Sequence, residues 1–263
     1  IAKEVERSWK RPRSIIVNGD DQHGKDFHNF KVEDKRSFSI NDAKPFELHE
    51  SGIDFTFAGE KIHSKLSGEF NLYNILSAIT FARSQGIDEK IIRRAVEKFS
   101  GIRGRLEKIE MGQDFVVIVD YAHTADSLEK VYQVFQNHRK ICVFGATGGG
   151  RDKWKRPEMG KVADMYCDEI ILTDDDSYDE SPREIAQAIA QGIKNKTPII
   201  LTDRREAIRE GLSRAKVGDA VLITGKGTDP YLMGPNNTKI EWDDASVARE
   251  ELRNLQFTTN NLQ

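Results

Sequence analysis

The spacing of hydrophobic and polar residues changes along the first part of this chain. Residues 14–17, Ser-Ile-Ile-Val, form an apolar run that ends at residues 18–21, Asn-Gly-Asp-Asp, which predicts a buried strand followed by a turn. Residues 26–68 carry short alternating patterns, for example from Ile53 to Gly59, which predict antiparallel hairpins. Beyond residue 70 the apolar positions recur at helical spacing.

Two amphipathic helices are predicted before the middle of the chain. The first covers residues 70–85, and the second begins after Asp88, a residue type that caps helix N-termini. Their inward faces are apolar and consist of Leu72, Ile75, Leu76, Ile79 and Ala82 in the first helix and Ile91, Ile92, Ala95, Val96 and Phe99 in the second. Gly101 and Gly104 flank the predicted boundary between two domains.

The remainder of the chain alternates apolar strands with amphipathic helices. The predicted strands are 115–120, 140–144, 169–173, 198–201 and 219–223, and the predicted helices are 125–137, 157–166, 182–195, 204–215 and 243–255. This alternation is typical of α/β domains, in which helices cover both faces of a mainly parallel sheet. Ligands of such sheets bind beyond the carboxyl ends of the strands. The tail after Leu255 is polar and is expected to fray.

Composition and charge exclude several classes of function. A chain of 263 residues is long enough for two domains. Its 40 basic and 43 acidic residues give a net charge of −3, so there is no global basic field for nucleic acid. No apolar run approaches the roughly 18 residues that span a bilayer, so membrane insertion is not expected. The chain starts without Met or a signal peptide, in what resembles a charged helix, and a start within a domain is expected.

The two cysteines, Cys142 and Cys167, each adjoin an apolar segment that resembles a strand. Two isolated cysteines are too few for a disulfide framework or a zinc site. They are therefore predicted to be buried, reduced thiols in a cytoplasmic protein.

The predicted strands of the second half end in polar or glycine-rich clusters. These clusters are residues 120–123 (Asp-Tyr-Ala-His), 145–152, 174–176 (three aspartates) and 224–229. Turn chemistry alone would explain any one of them. Four clusters at the same edge of one sheet indicate a polar cleft.

The glycine run Gly148–Gly150 is followed by four cations within six residues, namely Arg151, Lys153, Lys155 and Arg156. Glycines let backbone N–H groups approach an anion closely, and a predicted helix start follows. Carboxylates and phosphates are the natural partners of such a stretch. A flexible, solvated loop is the alternative. The stretch matches neither the P-loop pattern nor the dinucleotide fingerprint.

The other clusters have equally simple alternatives. Asp120 and His123 could be a helix cap and a surface histidine, and Lys226 could belong to a plain turn. The three aspartates 174–176 could form a solvated turn. Adjacent carboxylates repel one another, however, unless a cation, an ammonium group or a metal lies beside them.

Several motifs resemble those of MurE-type Mur ligases in order and spacing over essentially the whole chain. They are 119–128 (VDYAHTADSL, with Ala125 where proline is usual), 144–160 (FGATGGGRDKWKRPEMG), 223–227 (ITGKG), 243–249 (DDASVAR), 68–74 (GEFNLYN) and 101–107 (GIRGRLE). The resemblance implies part of a Mur ligase central domain at 1–102, without its P-loop. A Rossmann-like Mur ligase C-terminal domain with a mainly parallel sheet would follow at 103–263.

The resemblance also implies a reaction. Such enzymes are cytoplasmic and use ATP and Mg²⁺ to join a free amino acid to UDP-N-acetylmuramoyl-L-alanyl-D-glutamate in peptidoglycan synthesis. The dipeptide carboxylate is phosphorylated to an acyl phosphate, the amine attacks, and a tetrahedral intermediate expels phosphate. The enzyme must hold the reactants in line and neutralise the transferring phosphoryl group.

By the same resemblance, site residues can be named. The nucleotide would be bound by Asn71 and Asn74 at the adenine and by Arg105, Asp120, Tyr121 and His123 at the nucleotide side of the interdomain cleft. The amino acid would be bound by Arg156 at its carboxylate and by Asp174, Asp175 and Asp229 at its amine or side chain. Gly225 and Lys226 are further candidates for substrate binding, and Lys226 could reach a phosphate. Arg156 and Lys3 are the candidate catalytic residues. Lys3 matches a carbamoylated lysine that helps to hold magnesium, and an exposed helix lysine is the alternative.

The chain also departs from the family. The phosphate loop and the upstream metal ligands are absent, so the chain alone is expected to be inactive. Diaminopimelate enzymes have Asp-Asn-Pro-Arg after the third C-domain strand, whereas residues 174–180 read Asp-Asp-Asp-Ser-Tyr-Asp-Glu, and Thr228-Asp229 replaces His-Glu. An acidic selector favours lysine or another diaminopimelate-like diamino acid.

Two alternatives stay open. One is a different Mur-like ligase, of the cyanophycin or folylpolyglutamate synthetase type. The other is a non-catalytic nucleotide-binding or partner-binding remnant. In either case the first domain is expected to be the less stable half, because its incomplete sheet would expose an unpaired edge.

Overall fold

The computed structural model describes residues 2–260, with side chains described through residue 255. The chain forms two compact units, Ile1–Ser100 and Gly101–Gln263. The division falls between Ser100 and Gly101. Assignment of the two units to the domains implied at 1–102 and 103–263 stays a prediction. In the part that the structure describes, no helix is long and apolar enough to cross a membrane.

The first unit contains a parallel strand pair and an antiparallel sheet. Its elements are α1 (Ala2–Arg7), β1 (Ser14–Asn18), α2 (Gly24–His28), β2 (Asp34–Phe38), β3 (Phe46–His49), β4 (Gly52–Phe57), β5 (Glu60–Ser64), α3 (Glu69–Ser84) and α4 (Glu89–Lys98). Asp88 caps α4 as predicted, since its carboxylate accepts a hydrogen bond from the backbone N–H of Lys90. The core of the unit packs the apolar face of α3, including Leu72 and Leu76, with β4 residues such as Ile53.

The prediction of antiparallel hairpins throughout residues 26–68 is right for β3–β4–β5 and wrong for β2. β2 pairs in parallel with β1, from Ser14 beside Asp34 to Asn18 beside Phe38. A parallel partner requires a crossover connection, and α2 lies in that connection.

The second unit contains one six-stranded sheet, a hairpin and five helices among the described residues. Its elements are β6 (Glu107–Lys108), β7 (Val116–Asp120), α5 (Ala125–Val134), β8 (Lys140–Phe144), α6 (Lys155–Tyr166), β9 (Glu169–Leu172), α7 (Pro182–Ala190), β10 (Ile199–Ile200), α8 (Arg204–Arg214), β11 (Ala220–Thr224), β12 (Tyr231–Met233), β13 (Lys239–Glu241) and α9 (Asp244–Asn260). The strand order is β10-β9-β8-β11-β7-β6, and only β6 is antiparallel to its neighbour.

Two hydrophobic layers enclose this sheet, as predicted. Alternate side chains of the strands face opposite ways, so Leu222 of β11 lies with α5, α6 and α7, whereas Val221 lies with α8 and α9. Every residue of β8 and β11 is buried. Continuous apolar strands are what a parallel sheet covered on both faces requires.

Three details differ from the sequence-based expectation. β10 is only two residues long, at the edge of the sheet, and the hairpin β12–β13 was not predicted. α9 continues beyond its predicted end at residue 255 to Asn260, and fraying of the tail stays a prediction. Residues 261–263 lie outside the described part of the chain.

The prediction of reduced thiols is also corrected. Cys142 and Cys167 form a disulfide, with Cα atoms 6.1 Å apart. Cys142 lies in β8 and Cys167 caps the C-terminus of α6, so the strand and the helix that follows it bring the two sulfurs together. Counting cysteines could not show this proximity, which arises from packing of residues 25 positions apart.

A close approach of α6 to the end of α7 depends on two glycines. A Cβ atom on Gly160 would lie 2.0 Å from the carbonyl oxygen of Ile189, and one on Gly192 would lie 1.9 Å from that of Pro157. We expect Gly160→Ala to lower the free energy of unfolding by about 1–3 kcal/mol, because the added methyl must push the segments apart. Chemical denaturation measures this. Gly19→Ala is the control, since its methyl meets nothing closer than 3.4 Å; equal losses in both variants would contradict the prediction.

Candidate active site

Four polar clusters lie at one edge of the sheet in the second unit. β7, β8, β9 and β11 are parallel, so the residues that follow them emerge at the same edge. β11 lies between β8 and β7. The helices after β7 and β8 cover one face of the sheet, whereas α9, after β11, covers the other. Connections that leave to opposite faces open a crevice at the strand ends, and this is where ligands bind in open α/β sheets.

A stack of one guanidinium and two rings lies beside the end of β7. The Cζ atom of Arg105 is 4.2 Å from the centre of the Tyr121 ring. The rings of Tyr121 and His123 meet edge to face, with centres 4.9 Å apart. His123 Nδ1 lies 2.8 Å from the Tyr121 carbonyl oxygen, which fixes the orientation of the imidazole. The structure therefore brings these three predicted nucleotide-binding residues together.

Asp120 anchors the backbone around this stack. Its Oδ2 accepts a hydrogen bond from the N–H of Leu106 at 2.8 Å, and its Oδ1 accepts one from the N–H of Ala122 at 2.7 Å. Burial raises the pKa of Asp120, and these two hydrogen bonds oppose the rise. Contact with the nucleotide, predicted for Asp120, would use lone pairs that these N–H groups leave free.

Lys226 is a buried cation at the end of β11. Its side chain is 1% exposed, and its Nζ lies 2.8 Å from both carboxylate oxygens of Asp176. Asp229 Oδ2 is 3.1 Å from the same nitrogen. Burial acts to lower the pKa of Lys226, but its hydrogen bond to Asp176 and the charges of Asp175 and Asp176 raise it overall. Lys226 is therefore held as an ammonium ion, and Asp229 contacts it rather than standing free.

Two further carboxylates each keep one oxygen without a partner. Among the described residues, Asp174 Oδ1 and Asp175 Oδ2 are buried and accept no hydrogen bond. Burial raises the pKa of Asp175 to about 6, against the opposing charges of Arg204 and Lys226, and it also raises the pKa of Asp174. Gly225 leaves room for Asp175, because a Cβ there would lie 2.4 Å from Asp175 Oδ2. Each free oxygen could accept a hydrogen bond from a cationic ligand.

Arg204, which the sequence did not single out, connects the strand ends. Its fully buried guanidinium donates to both carboxylate oxygens of Asp244, at 2.8 and 2.7 Å. It also donates to the carbonyl oxygens of Asp174, at 3.0 Å, and Thr224, at 2.9 Å. The sequence offers little signal for this role, because the charged run 203–206 is typical of a solvated helix start.

Arg156 lies in the first turn of α6, with a side chain that is 5% exposed. Both its Nη atoms lie 3.1 Å from Glu180 Oε2, and Nη2 also donates to the carbonyl oxygen of Thr147 at 3.3 Å. Within residues 2–255 its buried Nε has no acceptor. The hydrogen bond from Arg156 is the main cause that lowers the pKa of Glu180 to about 2, and Lys153 adds to it. Sequence reasoning missed Glu180 as the partner of Arg156.

The glycine-rich turn 148–150 contacts the loop after β9, although it was expected to bind an anion. The N–H of Gly148 donates to the carbonyl oxygen of Asp176 at 2.9 Å, and that of Gly150 points to Glu180 Oε1 at 3.5 Å. A Cβ on Gly148 would lie 2.2 Å from the carbonyl oxygen of Ser177. These amides are thus directed at an adjacent loop rather than at a free anion, because the loop after β9 packs directly on the turn.

Two predicted site residues of the first unit lie together on α3. Asn74 Nδ2 is 3.1 Å from Asn71 Oδ1, and Asn71 Nδ2 donates to the carbonyl oxygen of Ser67 at 2.8 Å. The pair is one helical turn apart at the N-terminal end of the helix. Its role at an adenine stays a prediction.

Lys3 is exposed on α1, as the simpler alternative states, and it lines a cavity of about 980 Å³ with Asn18, Asp21 and His23. In the described part of the chain, no group of three or more His, Cys, Asp or Glu residues could hold a metal ion. A carbamate on Lys3, contributing one ligand, stays a prediction.

Comparison with known proteins gives a consistent result. Residues 104–227 match the family described as Mur ligase, glutamate ligase domain. The chain is 39% identical over 253 residues to UDP-N-acetylmuramoyl-L-alanyl-D-glutamate–2,6-diaminopimelate ligase of Syntrophomonas wolfei, covering 90% of this chain and 51% of that protein. It is 36% identical over 262 residues to the ligase of the same name from Clostridium tetani, covering 94% and 53%. The chain thus spans about half the length of the curated relatives it matches.

Solved structures agree with these matches. A structure of a UDP-N-acetylmuramoyl-L-alanyl-D-glutamate–2,6-diaminopimelate ligase superposes with a TM-score of 0.60 at 28% identity, covering 97% of this chain and 56% of the other. The MurF ligase of Thermotoga maritima, solved with ADP, shares the fold with a TM-score of 0.63 at 19% identity, covering 95% and 54%. Residues 104–227 thus match the glutamate ligase domain of the Mur ligase family, and 90–94% of the chain aligns with curated ligases at 36–39% identity.

Proposed function

We propose that this chain is part of a cytoplasmic, ATP-dependent carbon–nitrogen ligase. The enzyme would add a diamino acid to UDP-N-acetylmuramoyl-L-alanyl-D-glutamate in peptidoglycan synthesis. The names of the relatives favour this reaction over the cyanophycin and folylpolyglutamate alternatives. The proposed enzyme neither binds nucleic acid nor inserts into a membrane.

The observation that carries the proposal is a set of buried polar atoms with opposite charge and no partner. In the described residues, Arg156 Nε lacks an acceptor, whereas Asp174 Oδ1 and Asp175 Oδ2 lack a donor. These groups follow neighbouring strands of one sheet. A buried charged group without a partner is costly, so such a site is complementary to a ligand that brings both charges. A free amino acid does so, and a diamino acid brings a second ammonium group.

The proposed reaction is the one that the family resemblance implies. A carboxylate oxygen of the dipeptide attacks the γ-phosphorus of ATP, which releases ADP and leaves an acyl phosphate. The amine of the incoming amino acid, after losing a proton, attacks the acyl carbon, and the tetrahedral intermediate expels inorganic phosphate. Arg156 would hold the amino acid by its carboxylate, so that its amine is oriented toward the acyl carbon.

Nucleotide binding is proposed for two groups of residues. Arg105, Tyr121 and His123 present a cation and aromatic faces in the second unit. In the first unit, Asn71 and Asn74 present amide groups that suit the edge of a base. Lys3 would contribute one magnesium ligand if carbamoylated, and no step described here depends on it.

Lysine is the amino acid that the loop after β9 fits best. Residues 174–180 contain five acidic side chains and no cation. The second amino group of lysine would find the free oxygens of Asp174 and Asp175. Diaminopimelate, named for the relatives, has a carboxylate at its far end and would place it beside these acids.

The test uses the natural full-length polypeptide that carries this chain. Phosphate release is measured with ATP, UDP-N-acetylmuramoyl-L-alanyl-D-glutamate and L-lysine, meso-diaminopimelate or L-norleucine, which lacks the second amine. We expect lysine to give the highest kcat/KM and norleucine the lowest. If diaminopimelate is the best substrate, the proposed ligase activity stands and the choice of lysine is refuted. Equal rates with norleucine, or no dependence on an amino acid, would refute the proposed site.

A variant at Arg156 tests the carboxylate contact. We expect Arg156→Lys to lower kcat/KM for the amino acid by about a hundredfold, because a lysine ammonium cannot contact Glu180 and also donate a hydrogen bond from the position of Nε. Arg183→Lys, at an exposed position of α7, is the matched control and should behave as wild type. An unchanged kcat/KM in Arg156→Lys would show that the amino acid binds elsewhere.

A further inference from the structure

The carboxylate of Glu180 binds several donors of the segment that contains Arg156. Its carboxylate is 3.1 Å from both Nη atoms of Arg156, 3.0 Å from Lys153 Nζ and 3.5 Å from the backbone N–H of Gly150. The Glu180 side chain is 22% exposed, whereas that of Arg156 is 5% exposed. A carboxylate near the surface thus binds the tip of a buried guanidinium.

The way in which Arg156 is bound leaves its Nε–H donor free. Both Nη atoms contact the same oxygen, Oε2 of Glu180, so Glu180 uses the end of the guanidinium. The carbonyl oxygen of Thr147 takes a further hydrogen bond from Nη2. The flank of the guanidinium at Nε stays buried without an acceptor in the part of the chain that the structure describes. The single N–H at Nε can donate one charge-assisted hydrogen bond to a carboxylate.

Backbone contacts fix Glu180 in place. The loop that precedes it contains two non-glycine residues with left-handed backbone, Asp176 at φ 56° and Tyr178 at φ 51°. Such conformations are costly and persist where surrounding structure imposes them. Here the hairpin β12–β13 does so, because Tyr178 N–H donates to the carbonyl oxygen of Met233 at 3.0 Å and Met233 N–H donates to Asp176 Oδ1 at 2.8 Å.

We infer that Glu180 is a positioning residue for amino-acid binding. It holds the end of the Arg156 guanidinium and so directs the Nε flank toward the carboxylate of the incoming amino acid. Glu180 itself does not touch the ligand. The hydrogen bonds from the hairpin hold the loop before Glu180 in one conformation, as a positioning residue requires. This inference rests on the proposed function.

The test compares Glu180→Gln with wild type in the full-length ligase. The neutral amide keeps the shape but weakens the grip on Arg156, so we expect KM for the amino acid to rise about tenfold. We expect kcat to change less than about threefold, since bound amino acid still reacts. KM for ATP should not change. An unaltered or lower KM for the amino acid would overturn the inference, the lower value showing that Glu180 competes with the ligand.

Glu158→Gln is the matched control, because Glu158 lies on the same helix as Arg156 and pairs only with Lys161 among its described ion pairs. It should leave all three parameters unchanged. A rise in KM for both ATP and the amino acid in Glu180→Gln would indicate general damage and count against positioning.

A spectroscopic measurement separates this inference from the proposed function. The Nε–H signal of Arg156 in an NMR spectrum is assigned with Arg156→Lys. We expect Glu180→Gln to speed its exchange with water at least tenfold, whereas Glu158→Gln leaves it unchanged. If wild type shows no amino-acid-dependent phosphate release, the proposed function fails, while this exchange still reports whether Glu180 holds Arg156. Equal exchange in wild type and Glu180→Gln refutes the positioning.

Discussion

Arg204→Ala is expected to lower the free energy of unfolding of the second unit by about 3–5 kcal/mol at pH 7, because it leaves a buried carboxylate without its partner. Arg204 and Asp244 are both fully buried, and their two hydrogen bonds measure 2.8 and 2.7 Å. The variant also removes the hydrogen bonds from Arg204 to the carbonyl oxygens of Asp174 and Thr224. These two bonds connect the ends of β9 and β11. Chemical denaturation measures the loss.

Two controls define this result. Arg183→Ala removes an exposed arginine of the same unit and should change the free energy of unfolding by less than about 0.5 kcal/mol. The double variant Arg204→Met with Asp244→Leu should lose less than Arg204→Ala, since no buried charge of the pair is left unpaired. Similar losses in Arg204→Ala and Arg183→Ala would show that the buried ion pair does not hold the strand ends.

Asp175→Asn is expected to change how stability depends on pH. The pKa of Asp175 is raised by burial from 3.8 to about 6 in the folded chain. The folded state therefore binds this proton more tightly than the unfolded state, so Asp175 favours folding less as pH rises from about 4 to 6. Each pKa unit corresponds to about 1.4 kcal/mol, so the free energy of unfolding of the variant minus that of wild type should increase by about 2–3 kcal/mol between pH 4 and pH 8.

Asp126→Asn is the control for this measurement, because Asp126 is 76% exposed on α5 and pairs with Lys130 at the surface. Its difference from wild type should stay nearly constant over the same pH range. Unfolding curves in urea at pH 4, 6 and 8 give the comparison. A constant difference for Asp175→Asn as well would mean that Asp175 does not carry a raised pKa in the folded chain.

The alternation of strands and helices after residue 115 could be predicted, because central strands such as β8 and β11 are nearly continuous apolar runs. Such a run is a local pattern that the sequence itself displays. β2 could not be assigned correctly, since its exposure alternates as it would in a hairpin strand, while its parallel partner is set by the path of the connection. The short β10 has too few residues for any period to show.

The candidate site was predictable where a cluster follows a strand and not where it depends on tertiary partners. In the sequence, Asp120 ends a strand, Lys226 stands between two glycines after a strand, and Arg156 follows the glycine run 148–150. Arg204 and Glu180 lie in charged runs that resemble solvated surface, and only packing shows that Arg204 is buried and that Glu180 binds Arg156. The disulfide likewise needs a strand and a helix end to meet.

The position of β11 has a consequence for synthesis of the chain. This strand lies between β7 and β8, yet it follows both, as well as β9 and β10, in the sequence. Until Ala220–Thr224 leaves the ribosome, β11 cannot pair with β7 and β8, and each of these strands has one unpaired edge. Exposed edges of apolar strands invite association with other nascent chains. Premature termination before β11 should thus yield an aggregating product, even though most of the strands are already present.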